Sequence, residues 1–210
     1  MPEFTADFRA QLLDLFKWRR DVRQFKRDPL PQGTFERLVS IASLAPSVGL
    51  SEPWRFVLVE SDACRVAVRE CFNACNKDAL GGYSGERAAL YAQLKLEGLS
   101  DAPCQFALFV EPATAQGHGL GRQTMPVTIE YSAVAAVTVL WLAARAEGIG
   151  VGWVSILDPA EVAGILDVPP GWTMIGYFCL GYPSAESPSP TLETEGWEYR
   201  SDSSASIIRR

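Results

Sequence analysis

The chain is predicted to fold as α+β, a central sheet with helices packed against it. Short apolar runs at residues 55–60, 104–111, 150–156 and 172–181 have the length and residue types of buried strands. Segments with apolar residues at helical spacing lie before and between them, in the order helix, helix, strand, helix, helix, strand, helix, strand, helix, strand. With 48% hydrophobic residues among 210 positions, one domain spanning 1–210 can bury a substantial core.

The first helix, residues 7–19, carries Phe8, Leu12, Leu15 and Phe16 on one stripe, with Asp7 placed to cap its start. Its end delivers WRRDVRQF, residues 18–25. Arginine stays charged and presents a fixed fork of donors, so Arg19, Arg20 and Arg23 can converge on one dianionic group. A phosphorylated ligand is one reading; complementing the dipole at the helix end is the other. Asp21, set among them, is either an ion-pair strut or a reactive group.

After Pro29, Pro31 and Gly33, Thr34 caps a second helix to Leu44, with Phe35, Leu38, Ile41 and Ala42 on its apolar side, and Pro46 stops it. Residues 46–54 form a loop with proline near both ends, in which Gly49 lets backbone approach a ligand closely. Past the strand at 55–60, Asp62 caps a helix to Ala79, on which Cys64, Cys71 and Cys75 share a face as core thiols. Gly81-Gly82 opens a polar stretch, residues 81–98, with an exposed helix at 84–97; it is the candidate lid.

The only histidine, His118, sits in a glycine-rich loop after the strand at 104–111. That argues against a Ser-His-Asp triad or a histidine metal site, and leaves difficult chemistry to a cofactor. The long helix at 127–147 starts after Pro126 and closes at Gly148. Glu130 and Arg145 inside it favour a core helix over a membrane span, and so much apolar surface asks for a second subunit.

Gly150-Val151-Gly152 follows a helix and enters a strand, the reverse of the order a dinucleotide fingerprint needs, so a Rossmann site is rejected. The glycines either let a flat ligand lie on the strand, with the Ser155 hydroxyl alongside, or permit close packing. Asp158-Pro159 starts a short helix to Leu166. The polar tail, residues 183–210, wraps over a neighbour or frays.

A net charge of −6 leaves no basic field for nucleic acid. Five cysteines without a CxxC pair indicate neither a disulfide framework nor a zinc site, and fit reduced thiols in a cytoplasmic protein. Residues 1–20 show no secretory signal.

Together, WRRDVRQF, APSVGLSEPWRF, SGERAALYAQLKLEG, LWLAARAEGIGVGWVSI, CLGY and GWEYR resemble the flavin-fragmenting branch of the nitroreductase-like flavoprotein family, over residues 15–200. The resemblance implies a nitroreductase-like fold with a mixed central sheet, and a homodimer with a domain-exchanged C-terminal tail and FMN at the subunit interface. It implies oxygen-dependent fragmentation of reduced FMN to 5,6-dimethylbenzimidazole, the lower ligand of cobalamin, with release of erythrose 4-phosphate. Reduced FMN is then substrate, O2 co-substrate, and a separate flavin reductase the supplier.

By the same resemblance Arg19, Arg20 and Arg23, with Val22 between them, hold the ribityl phosphate, and Arg200 is a further candidate. Ser47 and Gly49 come from the partner, while Gly150, Val151 and Gly152 line the isoalloxazine. Asp21 and Ser155 are the catalytic pair, the first as a base near the ribityl chain, the second a hydrogen-bonding group near the N5 edge. Glu52, Arg55 and Val139 depart from the family pattern, which has glutamine, asparagine and asparagine there. An NAD(P)H-dependent nitro or quinone reductase and a non-catalytic flavin-binding module are the alternatives on the same fold.

Overall fold

The computed structural model describes residues 3–202 and 207–208. Its strands are β1 (Trp54–Leu58), β2 (Cys104–Val110), β3 (Gly150–Val154) and β4 (Thr173–Gly181). They form one sheet in the order β1-β2-β4-β3, every neighbouring pair antiparallel. Among the described residues, the parallel component of the expected mixed sheet is a single bridge, between Asp21 and Val151 at the free edge of β3.

The helices are α1 (Ala6–Trp18), α2 (Thr34–Ala42), α3 (Asp62–Leu80), α4 (Gly85–Gln93), α5 (Thr128–Ala146), α6 (Pro159–Ile165) and α7 (Thr191–Thr194). Side chains alternate across a strand, so Phe106, Leu108, Phe178 and Leu180 face α2 and α5, while Ala107, Phe109, Tyr177 and Cys179 face α3 and α6. Both faces are covered. That is why the central strands read as continuous apolar runs despite being antiparallel.

On α5, Ala133, Ala136, Val137, Leu140 and Ala144 follow helical spacing and are fully buried against the sheet and α2. The stretch that could pass for a membrane span is thus the central core helix, although Tyr131 on its outer flank remains 55% exposed.

Several boundaries differ from the sequence reading for local reasons. Thr5, not Asp7, caps α1, because its hydroxyl reaches the Phe8 N–H at 3.1 Å. The second helix is entered through Gly33 in left-handed geometry (φ 78°), leaving Thr34 as its first helical residue, and it ends at Ala42. The fourth helix stops at Gln93: Leu94 turns extended (ψ 129°), and the residues after it form a strap rather than more helix. The stripe on α1 buries none of its residues. The tail lies along the sheet edge: the Ser184 N–H donates to Gln24 O, and Arg20 and Arg87 hold Pro188 and Trp197.

Candidate functional site

The site is built where α1 gives way to the sheet edge. The Arg19 N–H still bonds Leu15 O at 2.9 Å, but a ψ of 112° at Arg19 turns the chain extended. The following residues run along β3: the Val22 N–H donates to Val151 O at 3.0 Å, and Phe25 bridges Pro183. Gly150 and Gly152 make this approach possible. A Cβ on Gly152 would lie 2.1 Å from the Val22 carbonyl oxygen, and one on Gly150 would lie 2.7 Å from Val22 Cγ2. Close packing therefore accounts for both glycines, and Val22 and Phe25 occupy the face on which a flat ligand was one expectation. The side chain of Val151 is buried in the core on the opposite face.

The extended segment places Arg19, Arg20, Asp21 and Arg23 on one wall of a cleft of about 140 Å³. Leu94, Lys95 and Leu96 of the strap form a second wall, and Pro190 to Leu192 with Arg200 of the tail a third. An adjoining recess of about 290 Å³ shares Arg20, Asp21, Arg23 and Lys95. Five cations and the single carboxylate of Asp21 thus line the first cleft, while Glu186 and Glu195 also line the second and Lys95 pairs with Asp101 at 3.5 Å.

Arg20 donates from Nε and Nη2 to Pro188 O, at 2.9 and 2.5 Å, and from Nη1 to Arg19 O at 2.7 Å. Burial, then the nearby Arg19 and Arg200 charges, pull its pKa below the ordinary value. The Arg19 guanidinium lies 5.0 Å over the Trp141 ring, whose Nε1–H donates to Arg20 O at 3.1 Å. Arg23 bonds both the Asp21 carboxylate and Leu96 O. A guanidinium carries five N–H donors, so Arg20 and Arg23 hold tail and strap with donors left for an anion.

Asp21 Oδ1 accepts the Trp153 backbone N–H at 2.8 Å, and Oδ2 faces Arg23. Its side chain keeps 35% exposure, but the surrounding chain desolvates the carboxyl enough to raise its pKa. The Arg23 charge, the Trp153 N–H and Arg19 oppose that rise without cancelling it.

The other expected residues are dispersed. Ser155 is exposed, just past the end of β3 and two residues beyond Trp153, roughly 7 Å further along an extended chain. Arg200 lines the cleft, its N–H held by Glu193 Oε1 at 2.9 Å. Ser47 and Gly49 lie in a separate loop, where the Ser47 hydroxyl accepts the Glu52 N–H at 3.1 Å. Gly49 has a φ of 59°, and a Cβ there would lie 2.8 Å from Leu120 O, so two loops dock through it. Leu50 and Leu120 beside that contact are 70% and 73% exposed. Arg55 donates to Glu111 and, at 3.1 Å, to Glu52 O, which gives the departure at position 55 a role in pinning this loop.

Lys95, Pro188 and Trp141 were not singled out in the sequence. Lys95 had a weak signal as the lone cation of the strap sequence LKLEG; the Pro188 contact is long-range and had none.

The nitroreductase family model matches residues 16–182. The chain belongs to the nitroreductase family. Family membership agrees with the fold, an antiparallel sheet clad by helices on both faces. A 5,6-dimethylbenzimidazole synthase of Rhodospirillum rubrum is 53% identical over 199 residues, covering 95% of this chain and 94% of that protein. Another, of Rhodobacter capsulatus, is 44% identical over 195 residues, covering 93% and 94%. Among solved structures, oxidised iodotyrosine deiodinase bound to FMN and 3-iodo-L-tyrosine superposes with a TM-score of 0.73 at 23% identity, over 95% of this chain and 97% of that one. At that identity the likeness shows the fold: nitroreductase-like.

Proposed function

We propose that the protein is a 5,6-dimethylbenzimidazole synthase that consumes reduced FMN and O2 and releases 5,6-dimethylbenzimidazole and erythrose 4-phosphate. The observation that carries this reading is Asp21, a carboxylate with a raised pKa held at a fixed angle inside a cationic cleft, in a chain 53% identical to a synthase of that name. The donor set fits a phosphate dianion: Arg19, Arg20, Arg23, Lys95 and Arg200 supply charge from three sides.

When bound, reduced FMN supplies both the electrons for O2 and the carbon skeleton of the product. Arg19, Arg20 and Arg23 would hold the phosphate end, with the Asp21 carboxylate in the same wall of the cleft available as a base. A carboxylate with a raised pKa is a stronger base than an ordinary one, and the Trp153 N–H keeps Oδ1 oriented while Oδ2 exchanges a proton. Ser155, exposed just past the end of β3, would supply a hydroxyl as a hydrogen-bond donor to the bound group. The strap, whose Leu94 and Leu96 line the cleft, would limit water there. A homodimer brings Ser47 and Gly49 to the partner's site through the face that carries Leu50 and Leu120. A separate reductase delivers reduced FMN, and the five free thiols suit a cytoplasmic setting.

The test is mass analysis of the products formed from reduced FMN under air. Equimolar 5,6-dimethylbenzimidazole and erythrose 4-phosphate are expected; quantitative return of FMN with only hydrogen peroxide overturns the reading.

A further inference from the structure

Of the motif GWEYR near the C-terminus only Arg200 enters the mechanism above, yet its tryptophan, Trp197, is among the most fully engaged residues of the tail. Gly196 ends α7 in left-handed geometry (φ 74°). Its N–H bonds Glu193 O at 3.1 Å, and the Trp197 N–H bonds Leu192 O at 2.8 Å, the paired bonds of a Schellman stop. Because α7 is only four residues long, this stop decides where the Trp197 ring goes.

It goes onto α4. The ring meets Tyr83 edge-on at 5.4 Å and Tyr91 at 6.0 Å, while those two tyrosines stack at 4.9 Å. Arg87 of α4 sets its guanidinium 4.7 Å over the Trp197 ring and donates from Nη1 to Trp197 O at 2.6 Å. The Tyr91 hydroxyl bonds Asn76 Oδ1 at 2.8 Å, tying the cluster to α3.

These contacts join the outer ends of two segments whose inner ends the cleft arginines already hold. Arg20 grips Pro188, just before α7, and Arg23 grips Leu96, just after α4. A closed ring of contacts results: Arg20 to Pro188, through α7 to Trp197, across to α4, down the strap to Leu96, and back to Arg23. Cut at Trp197, the lid would keep its Tyr91 tie to α3 and its hold on Arg23 but lose the tail, and the tail would hang from Arg20 alone, since a four-residue helix has no stability of its own.

We propose that Trp197 is a positioning residue, the latch that makes residues 85–96 and 188–200 close over the anion cleft as one cover and so sets Lys95 and Arg200 against a bound phosphate. That the ligand is FMN rests on the function proposed above; the latch itself does not.

The experiment compares wild type, Trp197→Ala, Trp197→Phe and Arg87→Met by hydrogen exchange and by titration with FMN and riboflavin. Trp197→Ala should speed exchange in 85–93 and 191–200 together and weaken FMN about tenfold, with riboflavin little changed. Trp197→Phe should restore FMN affinity to within about threefold, since a ring remains on the tyrosines. Arg87→Met, which keeps all three rings, should show the same paired rise to a smaller extent. A rise confined to 191–200, or equal losses for FMN and riboflavin, overturns the latch. If wild type binds no flavin, the flavin reading fails, and the paired or unpaired exchange still decides for or against the latch.

Discussion

Asp21 and Trp153 are locked together at the sheet edge: the carboxylate Oδ1 accepts the Trp153 backbone N–H at 2.8 Å, which fixes the remaining oxygen toward Arg23. An asparagine can keep the first bond but cannot take up a proton. Asp21→Asn is therefore expected to bind FMN within about threefold of wild type and to lose product formation by about 100-fold or more, the usual worth of a general base. Flavin titration beside quantified 5,6-dimethylbenzimidazole checks it. Unchanged turnover removes Asp21 from the mechanism.

The raised pKa of Asp21 gives a pH signature with a definite sign. Product formation needs the ionised form, so its acid limb should lie above the ordinary carboxylate value of about 3.9. For stability the direction is opposite. A carboxyl whose folded pKa exceeds its unfolded one stabilises the fold at pH below the unfolded value, and that contribution is lost as pH rises through the folded pKa. Wild type should thus lose melting temperature relative to Asp21→Asn across the window in which its activity rises. Parallel melting profiles for the two proteins would contradict the assignment.

The sequence was most legible where local chemistry decides structure. The four strands, the core helix α5 and the Asp158 cap of α6 follow from apolar runs, spacing and a side-chain acceptor two and three residues from its donors. The arginine cluster was legible as an anion site because charge and spacing mark it. What stayed hidden depends on long-range contact. That Gly152 faces the Val22 carbonyl, or that Arg20 grips Pro188, is a relation across 130 and 168 residues respectively, which no periodicity records. The α1 stripe misled for a related reason: its spacing is that of a buried face, but among the described residues it is only partly covered, at Leu12 and Leu15.

Gly152→Ala should be costly. The added Cβ would lie 2.1 Å from the Val22 carbonyl oxygen, a backbone atom that cannot rotate away, so the arginine segment must shift off β3. Overpacking of this kind costs about 1–3 kcal/mol, and the shift would also displace Asp21 from Trp153. Urea unfolding and FMN titration should worsen together. A variant of wild-type stability would show that the segment is not held where the structure has it.

Arg20→Ala should separate binding from catalysis. Arg20 spends three N–H groups on the Pro188 and Arg19 carbonyls and lines both recesses of the cleft. Its loss removes a charge-assisted contact to phosphate, worth about 1.5–3 kcal/mol, so FMN affinity should fall about 10- to 100-fold while riboflavin affinity changes little. Equal affinity for FMN in the variant and wild type would mean that Arg20 only braces the tail.

The face around Leu50 and Leu120 tests the dimer. Both side chains are more than two-thirds exposed, and Gly49 and Ser47 lie in the same loop as Leu50. Exposed leucines add little to the stability of a lone chain, so Leu50→Glu with Leu120→Glu should leave the monomer fold within about 0.5 kcal/mol. If this face meets a second copy, the charges oppose one another across the two-fold axis, and sedimentation should shift from dimer to monomer. FMN affinity should fall at the same time, because Ser47 and Gly49 no longer reach the partner's cleft. A dimer that persists with full affinity would place the interface elsewhere, and the partly covered stripe of α1 would be the next face to charge.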